Sequence, residues 1–115
     1  MNPGEEMEDD IAVVFTTTVN SLEEAEKIAQ AVVDEKLAAC AQVSGPITSH
    51  YRWRGEMCRD REWKVSLKTV KSLEQDLMAL IDEIHPYETP ELTAVKLESY
   101  SRSYHEWMLR NLQDT

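Results

Sequence analysis

The chain has 115 residues, 22 Asp and Glu against 12 Lys and Arg, a net charge of −10 and 42% apolar residues. That length holds one domain with a modest core, and so acidic a surface excludes partners gripped mainly through phosphates, nucleic acid first among them, because such binding needs a clustered positive face. The three glycines, Gly4, Gly45 and Gly55, are too few and too scattered for a P-loop, a dinucleotide fingerprint or a nucleophile elbow.

Residues 1–10 carry Glu5, Glu6, Glu8, Asp9 and Asp10 without a base, which makes them a flexible acidic tail by composition and leaves 11–115 as the single folded domain. Nothing in them resembles a basic and then apolar export signal, and no apolar run nears the roughly 20 residues that cross a bilayer. The expectation is a cytoplasmic protein that avoids membranes, with Cys40 and Cys58 as reduced thiols.

Ile11–Thr18 is β-branched and apolar, the pattern of a central strand. Ser21 and Glu24 form a capping box for a helix whose stripe is Leu22, Ala25, Ile28, Ala29, Val32 and Val33 and which ends near Lys36. Leu37–Val43 is apolar again, and Ser44-Gly45-Pro46 bends or bulges the chain before Ile47. From Ile47 the residues alternate, Tyr51 and Trp53 on one face and His50, Arg52 and Arg54 on the other, to a turn at Gly55-Glu56. They alternate back through Trp63, Val65 and Leu67 against Glu62, Lys64, Ser66 and Lys68. This spells a long antiparallel hairpin projecting beyond the domain.

Ser72 with Gln75 predicts the cap of a second helix with Leu73, Leu77, Leu80, Ile81 and Ile84 as its buried stripe, stopped by Pro86. Glu91–Leu97 reads as the fourth strand, and Ser103 with Glu106 as the cap of a short final helix. The order β-α-β-β-α-β predicts an α+β fold of the ferredoxin-like kind, with two helices on one face of an antiparallel sheet and an extra C-terminal helix. Two helices leave the other face open, and the hairpin edge invites pairing, so a closed homo-oligomer is expected.

The densest chemistry lies in His85-Pro86-Tyr87-Glu88-Thr89-Pro90-Glu91. Pro86 forces His85 into an extended conformation in which its ring can face a cleft. With Glu88 or Glu91, and with Cys40 if the fold brings it close, His85 offers a mixed nitrogen, oxygen and sulfur ligand set for a divalent ion; the plainer alternative is that the prolines stop a helix and aim the next strand. The basic, aromatic hairpin suits packing and ion pairing between subunits better than nucleic acid, given the net charge. No Ser-His-Asp, His-Glu-x-x-His or Cys-x-x-Cys spacing is present.

Taken together, Glu35-Lys36-Leu37-Ala38-Ala39-Cys40, then Ser49, Tyr51, Trp53 and Gly55 at alternate positions, then Glu62 through Lys68-Thr69, then His85-Pro86-Tyr87-Glu88 with Pro90-Glu91, resemble the CutA family of divalent-cation-tolerance proteins from about Ile11 to Leu112. The resemblance implies a homotrimer of ferredoxin-like subunits, similar to PII-type signalling trimers, whose hairpins pack across subunit boundaries. It implies tolerance of copper and other divalent cations, with copper or another divalent metal ion as the bound species and no enzymatic activity. His85 falls on the family's recognisable histidine and Cys40 on its recurrent cysteine, which makes them the implied metal residues. Two positions depart from the copper-binding pattern: Thr16-Thr17 stand where a cysteine is expected, and Ile84 where a second histidine is. The PII likeness implies an alternative, a small-molecule sensing module that takes an anionic or polar ligand in a cleft between subunits, walled by Trp53, Glu62, Lys68, Tyr87 and Glu91. An acylphosphatase-like enzyme, which needs a glycine-bounded phosphate cradle, finds no such loop here.

Overall fold

In the computed structural model, which describes residues 10–114, the apolar run after Asp10 forms β1 (Ala12–Val19). Its side chains are buried on both faces along most of its length, which is why it reads as nearly continuous apolar sequence. Ser21 then caps α1 (Leu22–Asp34), its Oγ accepting the Glu24 N–H at 3.1 Å, and Ala25, Ile28 and Val32 form the buried stripe. The helix closes in a Schellman motif, with Lys36 N–H donating to the Val33 carbonyl and Leu37 N–H to the Val32 carbonyl, both at 3.0 Å. Lys36 occupies the left-handed position of that motif, at φ 58°.

β2 (Cys40–Trp53) and β3 (Glu56–Val70) form the hairpin. Their register runs from Cys40 opposite Lys68 to Trp53 opposite Glu56, with one extra residue on β2 between Ser44 and Ile47, so Gly45-Pro46 bulges one continuous strand. The turn falls on Arg54-Gly55, one residue before the position the sequence suggests. Both have positive φ, 50° and 81°, as a two-residue turn matched to strand twist requires. The hairpin stretches the molecule to 51 × 25 × 25 Å.

β3 leads directly into a 3-10 turn (Lys71–Leu73) that opens α2 (Glu74–Ile84). Ser72 therefore sits inside the turn and makes no side-chain cap, contrary to the expectation from Ser72 and Gln75. β4 is shorter than its apolar run, spanning Thr93–Lys96. The last helix, α3 (Arg102–Arg110), is capped by Ser101, whose Oγ accepts the Tyr104 N–H at 3.2 Å, and not by Ser103, which lies within the helix.

The sheet order is β2-β3-β1-β4, antiparallel throughout, the ferredoxin-like arrangement. The core joins Phe15, Val65 and Leu67 of the sheet to Ile28 and Val32 of α1 and Leu77 and Ile81 of α2. Met108 and Leu112 enter the same core, and Gln113 ties the chain end to α1 by donating to the Lys36 and Glu35 carbonyls. Tyr51, Trp53, Met57 and Val95 stay 40–66% exposed on the hairpin and on β4. The acidic tail of the sequence lies outside the described residues except for Asp10, whose carbonyl accepts a hydrogen bond from His105 Nε2 at 2.7 Å. Among the described residues no helix is long and apolar enough to cross a membrane.

Candidate functional site

The link from α2 to β4 is set by its prolines. His85 ends α2 in an extended conformation, φ −71° and ψ 136°, as a residue before proline must. Its ring, however, turns inward and is buried, instead of facing a cleft. Nε2 lies 3.1 Å from the Thr18 carbonyl and 3.0 Å from Thr17 Oγ1, and Nδ1 lies 3.1 Å from the Tyr87 main-chain nitrogen. A carbonyl only accepts and an N–H only donates, so the ring is neutral with its proton on Nε2. Burial pushes the His85 pKa below the usual histidine value, against the pull of the Thr18 carbonyl and of Asp82, Glu24 and Glu62.

Held this way, Tyr87 packs its ring edge-on against His85 at 4.9 Å and donates its phenol O–H to Glu62 Oε2 at 2.8 Å. Burial, reinforced by this bond to Glu62, pushes the Tyr87 pKa well up. Glu62 is 7% exposed, and Oε1 accepts no hydrogen bond from the described residues. Beside it, Tyr51 donates to Asp60 across the hairpin, and that bond raises its pKa to about 12. Arg54 reaches from the hairpin turn to Glu88 Oε2 at 3.1 Å, joining the tip to the link.

Between hairpin and link lies a cleft of about 580 Å³, lined by Trp53, Glu62, Tyr87 and Glu91 and also by Thr18, Ser49, Tyr51 and Glu88. Four of the five residues expected to wall a cleft between subunits thus lie together within one chain. Lys68 does not. It stands six residues along β3 from Glu62, roughly 20 Å at strand spacing, where its Nζ donates to Gln42 Oε1 at 3.1 Å and sits 5.9 Å from the Tyr104 ring. Thr18, Ser49, Tyr51 and Glu88 were not singled out as ligand-cleft residues. For Ser49 and Tyr51 the signal was present, since they share the alternating strand face with Trp53.

The structure does not bring His85 and Cys40 together within one chain. Cys40, a free thiol, opens β2 opposite Lys68, which pairs with Val14 of β1, whereas His85 meets β1 at Thr17 and Thr18. Strand spacing puts the two roughly 15 Å apart. Both ring nitrogens of His85 are engaged, and among the described residues no group of three His, Cys, Asp or Glu side chains could hold a metal ion. The described donors of a single chain therefore do not converge on a divalent metal.

Fold and site together define a ferredoxin-like protein with an extended hairpin and an aromatic, acidic cleft at its side. The family model described as CutA1 divalent ion tolerance protein matches residues 13–111. A divalent-cation tolerance protein CutA from Thermus thermophilus is 38% identical over 98 residues, 85% of this chain and 95% of the relative. Among solved structures, the divalent cation tolerance protein (Cut A1) of Thermus thermophilus superposes with a TM-score of 0.86 at 36% identity, covering 90% of this chain and 100% of the other. CutA1 from Oryza sativa superposes with a TM-score of 0.88 at 30% identity, covering 91% and 96%. The chain belongs to the CutA1 divalent ion tolerance family.

Proposed function

We propose that the protein serves divalent-cation tolerance as a closed homotrimer that binds copper or a similar ion in the cytoplasm, without catalysing a reaction. The observation that supports this is the outer edge of β2, 14 residues long and unpaired in the single chain, with the exposed Met57 beside it. Such an edge asks for a neighbour. Since donors do not converge within one chain, the ion is held between subunits, with Cys40 at the start of the β2 edge as a soft ligand and His85 giving up its bond to Tyr87 to take part. Sedimentation should give three times the chain mass, and calorimetry should show weaker Cu²⁺ binding by His85→Ala and Cys40→Ala. A monomer mass, or equal affinity in both variants, overturns the reading.

A second reading is favoured by the cleft itself, in which a nearly closed carboxylate is hydrogen-bonded to a phenol between aromatic walls. This is the form of a small-molecule site, and it makes the protein a PII-like sensing module. A ligand there must raise the melting temperature of the native protein. A metabolite screen with no stabilising compound counts against it.

A further inference from the structure

The cleft's charge decides what kind of small molecule it can hold. Among the described residues of one chain, Glu62, Glu88 and Glu91 line it, and no Lys or Arg does. The remaining walls are the rings of Tyr51, Trp53, Tyr87 and His50, with Thr18, Ser49 and Thr89 between them. An anion entering here would be repelled by three carboxylates and the electron-rich faces of the aromatics, with only His50 and the hydroxyls of Thr18, Ser49 and Thr89 to receive it. A cation meets attraction from both. Glu62 gives the cleft a floor: it is 7% exposed, spends Oε2 on the Tyr87 phenol and leaves Oε1 without a donor from the described residues. Oε1 is not sealed in the interior, where Thr69 Oγ1 is the one unpartnered side-chain oxygen among the described residues, so it is open to the cleft and can accept from an N–H donor there.

The chain supplies a picture of such a donor at the mouth. The guanidinium of Arg54 lies 5.5 Å from the centre of the Trp53 ring and 3.1 Å from Glu88 Oε2. An aromatic face and a carboxylate thus already hold one planar organic cation, on a side chain that is 72% exposed and free to leave. The shape of the cleft argues against a bare metal ion. Its carboxylates do not converge into a three-donor group, and about 580 Å³ is room for an organic molecule of several atoms.

We propose that this cleft binds a small organic cation of the guanidinium or primary ammonium class, its charged end on Glu62 Oε1 and its body between Tyr51, Trp53 and Tyr87, with Arg54 as the resident competitor at the mouth. The proposal rests on the second reading above, that the cleft is a ligand site, and sets aside the anionic half of the anionic or polar ligand that the PII likeness implies. Arg54 then has a defined effect. While its guanidinium occupies Trp53 and Glu88, it opposes entry of a second cation, and its removal uncovers both.

Calorimetric titration of the full chain in its native assembly tests this, with agmatine as the cationic probe and adenosine monophosphate as the anionic one, at low ionic strength. Agmatine should bind and the nucleotide should not. Glu62→Gln should weaken agmatine about tenfold or more, the loss of one charge-assisted hydrogen bond, and Glu91→Gln, on an exposed residue, should weaken it less. Arg54→Ala should strengthen agmatine binding. An anion in the same cleft would respond in the opposite sense to all three substitutions. Nucleotide binding that Trp53→Ala abolishes would overturn the cationic class while leaving the cleft a ligand site. No binding of either probe would overturn both, and agmatine binding indifferent to Glu62→Gln and Arg54→Ala would overturn the placement.

Discussion

His85 accepts the main-chain N–H of Tyr87 on Nδ1 at 3.1 Å, so the ring at the end of α2 folds the link that follows back onto the hairpin. Through this bond a buried histidine positions the phenol that meets Glu62 in the cleft. The Nε2–H anchors the same ring to the Thr18 carbonyl, so both ends of the imidazole serve structure.

A pH dependence follows. Burial sets the folded pKa of His85 below its unfolded value near 6.5, so the unfolded chain takes up this proton first as pH falls. The stabilisation from neutral His85 is fully present above the unfolded pKa and is lost as pH drops through the folded pKa. Protonation also puts a hydrogen on Nδ1, facing the Tyr87 N–H. Urea midpoints at fixed protein concentration should fall between pH 7.5 and pH 5, and His85→Ala should flatten that fall while costing about 1–3 kcal/mol at pH 7.5. An equal slope in the variant would show that other groups carry it.

Lys36 offers a gain in stability. It stands at φ 58°, in the left-handed position of the Schellman motif that glycine usually fills, and is exposed. Lys36→Gly keeps both closing hydrogen bonds, which use the main chain. Relief of the left-handed penalty should stabilise the protein by up to about 1 kcal/mol, offset in part by the added freedom of the unfolded chain. A lower melting temperature would show that the lysine side chain matters there.

The two described glycines should respond differently to alanine. At Gly45, φ 147°, an added Cβ would lie 2.9 Å from Trp63 Cδ1 and 3.0 Å from the Glu62 carbonyl oxygen, so strand and tryptophan would both have to move. At Gly55, φ 81°, it would meet nothing within 4 Å. Gly55→Ala should cost roughly 1–2 kcal/mol from backbone strain alone, and Gly45→Ala more, by about 1–3 kcal/mol of overpacking. Because Gly45 backs onto Glu62, its substitution should also disturb the cleft, visible as a shift in Tyr87 resonances that Gly55→Ala does not produce.

Much of this architecture was legible because periodicity and local chemistry agreed. The Ser21 box, the apolar β1 and the alternating hairpin each satisfied two rules at once. The cap residues of α2 and α3 were misplaced for a common reason: Ser72 and Ser103 have a polar residue three positions on, but the signal does not say where the chain has already begun to turn. At Ser72 the strand runs straight into a 3-10 turn, and at Ser103 the earlier Ser101 takes the N–H. The cleft was half legible. Trp53, Glu62, Tyr87 and Glu91 come from adjacent motifs and meet within one chain, whereas Lys68 stands far along the same strand from Glu62, so any place it has in a cleft between subunits is on a neighbouring chain. His85 was found, and its orientation was not, because whether a ring turns in or out depends on the distant Thr17 and Thr18.

The Tyr87–Glu62 pair can be taken apart in order. Tyr87→Phe leaves a nearly closed carboxylate without its phenol donor and should cost about 1–3 kcal/mol. Glu62→Gln keeps an oxygen that can accept from the phenol and should cost less. In that variant Tyr87 should also ionise at lower pH than in the parent, since the acceptor and its charge both raise the phenol's pKa, while burial keeps it above the ordinary value. Phenolate absorbance through an alkaline titration reads this directly. No downward shift would separate the phenol from Glu62 in solution.

Thr69 is the one place among the described residues where the core holds a buried side-chain oxygen with no partner. Its residue is fully buried on β3 opposite Val13, where the neighbouring core is apolar. Threonine and valine have nearly the same shape, so Thr69→Val removes an unsatisfied hydroxyl and adds a methyl contact without overpacking. The variant should be more stable by about 1–2 kcal/mol, seen as a higher urea midpoint with an unchanged slope. Thr17 provides the control. It is equally buried, but its hydroxyl lies 3.0 Å from His85 Nε2, so Thr17→Val should destabilise. A loss of stability in Thr69→Val would mean that the hydroxyl finds a partner in solution, and the two threonines would then behave alike.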